Sequence, residues 1–264
     1  MNTPPDLPMQ PDLERRFGGL RRLYGDADYL RLRSARLAVV GLGGVGSWTA
    51  EALARSGVAS LTLIDLDHVS ESNINRQVQA VGATVGQSKG IALRDRIADI
   101  HPGCEVHLVD DFVTPENWPA LLAHPVDVLV DACDQVRAKV AMAHWALQTG
   151  TPFVTVGAAG GKRRPQAVEV EDLGATTHDP VLASMRQRLR KQHGAARSGA
   201  MGIRCVYSRE PVAMPAQAAC EAGEGTAVDS NLNCHGYGSS VTVTATFGLV
   251  AASEALQCFL FQRA

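Results

Sequence analysis

The sequence lacks any pair of cysteines spaced CxxC and any pair of histidines spaced HxxxH, so its six cysteines offer no local spacing for a tetrahedral zinc site. It also lacks a long apolar run. The charge-free segment between Asp229 and Glu254 has an apolar part of only thirteen residues, Val241–Ser253, short of the roughly 20 that span a bilayer. A peripheral membrane contact through Val241–Phe261 stays open beside burial against a sheet. Met1–Asp12 holds four prolines and no apolar signal-peptide core, which predicts a reduced, cytoplasmic setting. An excess of charge of one sign is missing as well. With 25 basic and 27 acidic residues the chain carries −2, so a nucleic-acid or membrane partner must be met by a local patch. At 264 residues, 45% hydrophobic and 20% charged, the chain is not disordered and can bury a large core.

What is present is alternation. Apolar positions at Phe17, Leu20, Leu23, Tyr24, Tyr29, Leu30 and Leu32 suit one or two short helices within Leu13–Arg36. Leu37–Val40 is a compact apolar run ending at Gly41, as a buried parallel strand requires. Helices are then predicted over Val45–Arg55, Gln87–Ile100, Thr114–Leu122 and Gln135–Gln148, with strands over Ser60–Ile64, Glu105–Val109, Val126–Val130 and Thr151–Val156. This order predicts an α/β fold with a doubly wound, mostly parallel, Rossmann-like sheet. Past Gly157 the rhythm breaks. Short strands at Ala167–Val170 and Ile203–Tyr207 flank a basic helix over Pro180–Gln192, and Val241–Phe261 reads as a closing C-terminal helix. Polar tracts at His193–Gly202 and Pro215–Ser230 read as mobile. The partition is a disordered terminus at 1–12, a nucleotide-binding core at 13–161, a small basic α+β appendage at 162–230 and a closing segment at 231–264.

Gly41-Leu42-Gly43-Gly44-Val45-Gly46 lies between a predicted strand and a predicted helix, the context in which a GxGxxG run cradles phosphate. Gly41, Gly43, Gly44 and Gly46 let the backbone approach the ligand, and the helix N-terminus supplies unpaired N–H groups. Asp65, 24 residues past Gly41 at the end of the second strand, is placed for ribose hydroxyls. Alone, this loop would serve nicotinamide or flavin chemistry. The next segment argues otherwise: Asp67, Asn73, Asn75, Arg76 and Gln77 crowd one loop, and Lys89 follows. Hydride transfer has no use for an Arg and a Lys at a phosphate, whereas displacement at phosphorus gathers charge that they stabilise. Asp134, in Asp131-Ala132-Cys133-Asp134, either holds Mg²⁺ across the phosphates or caps the helix that starts near Gln135.

Together the strings GLGGVGS, LTLIDLD, SNINRQ, VGQSK and DACD resemble the ubiquitin-activating-enzyme-like (ThiF/MoeB/HesA) superfamily over roughly Arg16 to Gly161. The resemblance implies an adenylating fold that binds ATP and activates a substrate carboxylate at the α-phosphate. By motif, it implies that Gly41, Gly43, Gly44 and Gly46 line the phosphate loop and Asp65 binds ribose, with Asp67, Asn75 and Gln77 in the same nucleotide-binding set. It sets Asn73 and Arg76 by the phosphates, Lys89 in contact with them, and Asp134 at Mg²⁺ and the reacting centre. Arg16 matches an arginine sent into a neighbouring subunit's site, which implies a homodimer. Carrier-activating members commonly hold zinc on two CxxC pairs, and with neither pair here no zinc is expected. Further strings, ERRFGGLRRLYG, DDFVTP, THDP and CVYS among them, resemble the tRNA threonylcarbamoyladenosine dehydratases. That branch implies ligase-type, ATP-dependent cyclisation of a modified adenosine next to the anticodon. The alternatives are an adenylyltransferase acting on the C-terminus of a ubiquitin-like sulfur carrier, and a non-catalytic nucleotide-binding or sulfur-relay scaffold. Cysteine-desulfurase or sulfur-acceptor proteins are possible partners under the resemblance, and Cys234 reads either as a sulfur contact or as a packed structural thiol.

Charge is unevenly placed. Lys162 to Arg209 carries ten basic and four acidic residues, +6, which leaves −8 for the rest. A basic segment on an acidic nucleotide-binding body suits an RNA backbone, and equally describes a solvated helix face.

Overall fold

The computed structural model describes residues 11–213 and 237–261. Asp12 caps helix α1 (Leu13–Leu32) by accepting from the Arg15 N–H, and Gly25 (φ 80°) kinks it, so the two short helices allowed by the spacing form one bent element. The chain then lays down β1 (Arg36–Val40), α2 (Gly46–Arg55), β2 (Ser60–Ile64), α3 (Lys89–Ile100), β3 (Glu105–Val109), β4 (Val128–Asp131), α4 (Val136–Thr149) and β5 (Phe153–Val156). It continues through β6 (Val168–Asp172), α5 (Pro180–Gln192), β7 (Arg204–Ser208) and α6 (Val241–Phe261).

One seven-stranded sheet results, in the order β3-β2-β1-β4-β5-β7-β6. All pairings are parallel except β6 against β7. The basic segment is therefore an addition to the edge of the same sheet, with α5 crossing between β6 and β7. In β1, Leu37 and Val39 face one core with α2, α3 and α6, while Ala38 and Val40 face another with α4 and α5. A sheet buried on both sides needs continuous apolar strands, which is how Leu37–Val40 reads.

Two expectations change. Thr114–Leu122 is not a helix but a series of turns. Its apolar positions still pack, with Trp118 buried and Leu121 and Leu122 against the same core, but Pro119 has no N–H to give an interior helical bond. The Asn117 side chain instead donates to Phe112 O and accepts from Thr114 N. The tract 193–202, expected to be mobile, is anchored at its end: the Asp172 carboxylate accepts from the N–H groups of Met201, Gly202 and Ile203. Val241–Phe261 is long and apolar enough to cross a membrane by length and composition, yet Phe247, Ala251, Ala255 and Leu256 are buried in the core shared with α2. Residues 1–10, the 215–230 tract and Cys234 lie outside the described residues.

Candidate functional site

Strand order reverses between β1 and β4, and such a reversal opens a crevice at the carboxyl ends of the strands. Here that crevice is a cavity of about 530 Å³, a size typical of small-molecule sites. The glycine loop forms its floor. Gly41 has φ +84°, and a Cβ there would come within 2.8 Å of Cys133 N. A Cβ on Gly46 would overlap the Gly41 carbonyl oxygen, so only glycine lets α2 begin this close to β1. Val45 occupies the N-cap of α2 without a side-chain hydrogen bond, and unpaired N–H groups at a helix start favour an anion.

Asp65 holds this loop in shape. Its Oδ2 accepts from Leu42 N at 2.6 Å and its Oδ1 from Asp67 N at 2.8 Å. Burial pushes its carboxyl pKa up, opposed by the Lys89 charge and by those two N–H groups. Lys89, itself buried, gives its ammonium to Asp67 Oδ2 at 2.6 Å and stands 3.8 Å from Asp65 Oδ1. Asn73 is buried where its Oδ1 accepts from Ser70 N and closes the turn. Arg76 donates to Ser72 O at 2.7 Å and to Asn75 Oδ1 at 3.0 Å, and its stem lies so close to Gly44 that a Cβ there would come within 3.2 Å of it. Gln77 Oε1 accepts from Gln79 Nε2, which also donates to Leu42 O.

The cavity thus gathers Gly41, Gly43, Gly44, Asp65, Asp67, Asn73, Arg76, Gln77, Lys89 and Asp134. Three expected residues do not line it. Gly46 is buried beneath the loop, and Asn75 points its amide at Ser239 O. Arg16 donates to the carbonyls of Asp99 and Ile100 at the end of α3, away from its own chain's cavity. Of the two readings of Asp134, the cap is excluded: Gln135 holds the N-cap of α4, and Asp134 stays exposed on the cavity wall.

Sequence reasoning missed a buried network behind that wall. Lys139 Nζ lies 3.0 Å from Asp131 Oδ2 and donates to Val156 O at 2.8 Å, and Thr155 donates to the same carboxylate at 2.6 Å. Burial works against the Lys139 charge, but the Asp131 carboxylate outweighs it and its pKa is raised. Cys133 donates its thiol to Asp131 at 3.0 Å, and burial followed by the Asp131 charge pushes that thiol well up, out of nucleophile range. The signal was available: Lys139 interrupts the apolar stripe Val136, Val140, Ala143, Ala146 of α4. A second missed residue is Asp179, which caps α5 through Leu182 N and also accepts from Ala158 N at 2.8 Å, tying the basic edge to the cavity rim.

The ThiF family profile matches residues 16–263. The chain belongs to the ThiF family. Within that family it is 41% identical over 248 residues to the tRNA threonylcarbamoyladenosine dehydratase of Escherichia coli (strain K12), covering 92% of each chain. It is 38% identical over 250 residues to the protein of the same name from Haemophilus influenzae, covering 94% of each. The crystal structure of the E. coli dehydratase in complex with ATP matches with TM-score 0.83 and 40% identity, over 93% of this chain and 94% of that one. The same protein in complex with AMP gives a TM-score of 0.82. This ThiF-family likeness runs past the nucleotide half and takes in the β6–α5–β7 edge.

Proposed function

We propose that this ThiF-family chain is an ATP-dependent tRNA threonylcarbamoyladenosine dehydratase, a ligase-type enzyme of the cytoplasm. The observation that carries the reading is one cavity lined together by an open helix start, Arg76, Lys89 and Asp134, in a chain similar along nearly its whole length to dehydratases. The α-phosphate lies on the Gly41–Gly46 loop, and Asp65 orients the ribose. A threonyl carboxylate oxygen attacks the α-phosphorus, pyrophosphate leaves, and a nitrogen or oxygen of the same side chain then displaces AMP from the acyl carbon. The sum is loss of one water from the nucleoside. Because the second nucleophile is internal, effective molarity replaces a second substrate and the enzyme need supply no nucleophile.

Arg76 and Lys89 stabilise charge gathering on the phosphate oxygens. Lys89 reaches them by turning from Asp67, a partner that is itself half-exposed. Asp134 fits Mg²⁺, which is commonly held by one or two carboxylates plus substrate phosphates, and the bound ion would neutralise phosphate charge there. Arg16 completes the site of a second copy in a homodimer, with 13–161 as the ATP-binding core and 162–230 meeting RNA. The test is incubation of the protein with ATP, Mg²⁺ and tRNA carrying threonylcarbamoyladenosine, followed by nucleoside mass spectrometry. Loss of one water supports the reading; an unchanged nucleoside, with a carrier-protein tail supporting ATP–pyrophosphate exchange instead, refutes it.

A further inference from the structure

A second cavity, of about 510 Å³, opens between α4, α5 and the turns at 115–119. Arg137, His144, Arg188 and His193 line it beside Trp118 and Trp145, and no carboxylate does. The two imidazoles lie with centroids 4.0 Å apart and planes tilted by 30°, and the two indoles meet edge to face at 5.4 Å. Neighbouring arginines are engaged with the backbone: Arg186 donates to Leu173 O and Thr176 O, and Arg190 to Ala196 O. Arg137 and Arg188 make no such bond or ion pair among the described residues, and Arg137 is exposed.

Two guanidinium forks in a concave, carboxylate-free wall leave a field that an anion balances, and the fork matches phosphate oxygens. Imidazole and indole faces offer a base a stacking surface. Both cavities share their walls. Helix α4 gives Gln135 and Lys139 to the first and Arg137 and His144 to the second, while α5 gives Val181 to one and Arg188 to the other. Gln135 and His144 are separated by a helical rise of about 14 Å, near four steps of a stacked strand at about 3.4 Å each.

We propose that the second cavity is an accessory nucleotide site of the substrate RNA. Arg137 and Arg188 seat a phosphodiester there, and a base lies against the outer face of the tilted His144–His193 pair, a few nucleotides from the adenosine that enters the first cavity. The proposal rests on the RNA-modifying reading for the identity of its ligand, but its test needs no turnover.

Substrate tRNA binding is measured across a salt series for the wild type, for Arg137→Ala with Arg188→Ala, and for Arg94→Ala, an exposed arginine of α3 paired with Asp95. The double variant weakens tRNA binding about tenfold or more and lowers the slope of log affinity against log salt by roughly 0.7–0.9, from one phosphate no longer neutralised. Its ATP affinity stays at the wild-type value, which reports an intact fold. Arg94→Ala leaves the slope in place. Wild-type affinity and slope in the double variant, or an equal loss in Arg94→Ala, overturn the proposal. So does displacement from the wild type by an acidic peptide but not by an anticodon stem-loop, which would assign the cavity to a protein. These readouts stay separate from a failure of dehydration, since binding is scored even where no water is lost.

Discussion

At the β1–β4 reversal the polar groups are turned inward on one another: Asp65 holds Leu42 and Asp67, Lys89 holds Asp67, and Lys139 holds Asp131 and Val156. At the β6–α5–β7 edge the charges divide. Lys162 is buried on the carbonyls of Ser208 and Glu210, Arg186 braces Leu173 and Thr176, and Arg204 and Arg209 pair with Glu254 and Glu169. Burial holds the Lys162 pKa down even with Asp179 and Glu210 near it. Arg163, Arg164, Lys191 and Arg197 are left exposed. A phosphate pocket needs fixed N–H groups and charges in a pre-set geometry, whereas an RNA backbone needs only cations within reach. The +6 of the edge therefore overstates what it offers an RNA, because about half of its basic residues hold the edge together.

The sharpest way to break this contrast is Lys139→Ala. It leaves Asp131 charged, buried and unpaired, and costs about 3–5 kcal/mol, read as a lower denaturant midpoint at an unchanged slope. A smaller loss would mean that water reaches Asp131 and the network is not sealed. Next comes Lys89→Ala, which lowers kcat about 10²–10³-fold, about 2.7–4 kcal/mol of barrier. Its stability cost stays below the rate loss, because Asp67 is half-exposed and Asp65 keeps its two backbone N–H donors. A stability loss matching the rate loss would make Lys89 structural. At the junction of the two regions, Asp179→Ala removes the α5 cap and costs about 0.5–2 kcal/mol, measured by thermal unfolding.

The last effect is a pH slope. His101 is buried, and burial, then the Arg33 charge, lowers its pKa from 6.5 to about 4. Arg33 also donates to its Nε2 at 2.9 Å. As pH falls below 6.5 the unfolded chain takes up a proton that the native state refuses until about pH 4. Stability therefore declines with falling pH across that window, and His101→Gln flattens the decline.

The nucleotide half was legible because its constraints are local. Gly41, Gly46 and Asp65 are fixed by one turn and by the strand that follows it. Lys139 left a trace as a lysine in an apolar stripe, but the partners it and Asp179 take were not legible, because Val156 and Ala158 are 17 and 21 residues away and meet them only once the sheet has formed. In 114–122 the alternating rhythm predicted a helix where the chain makes turns, since the rhythm says nothing of the N–H missing at Pro119. Arg16 was assigned by motif to a partner's site, and in its own chain it closes the end of α3.

Activation in this cavity joins the threonyl carboxylate to phosphorus, and a single turnover on tRNA whose threonyl carboxylate is labelled with ¹⁸O reads that bond. One heavy oxygen is expected on AMP. Label released to water, or found on inorganic phosphate, would contradict it.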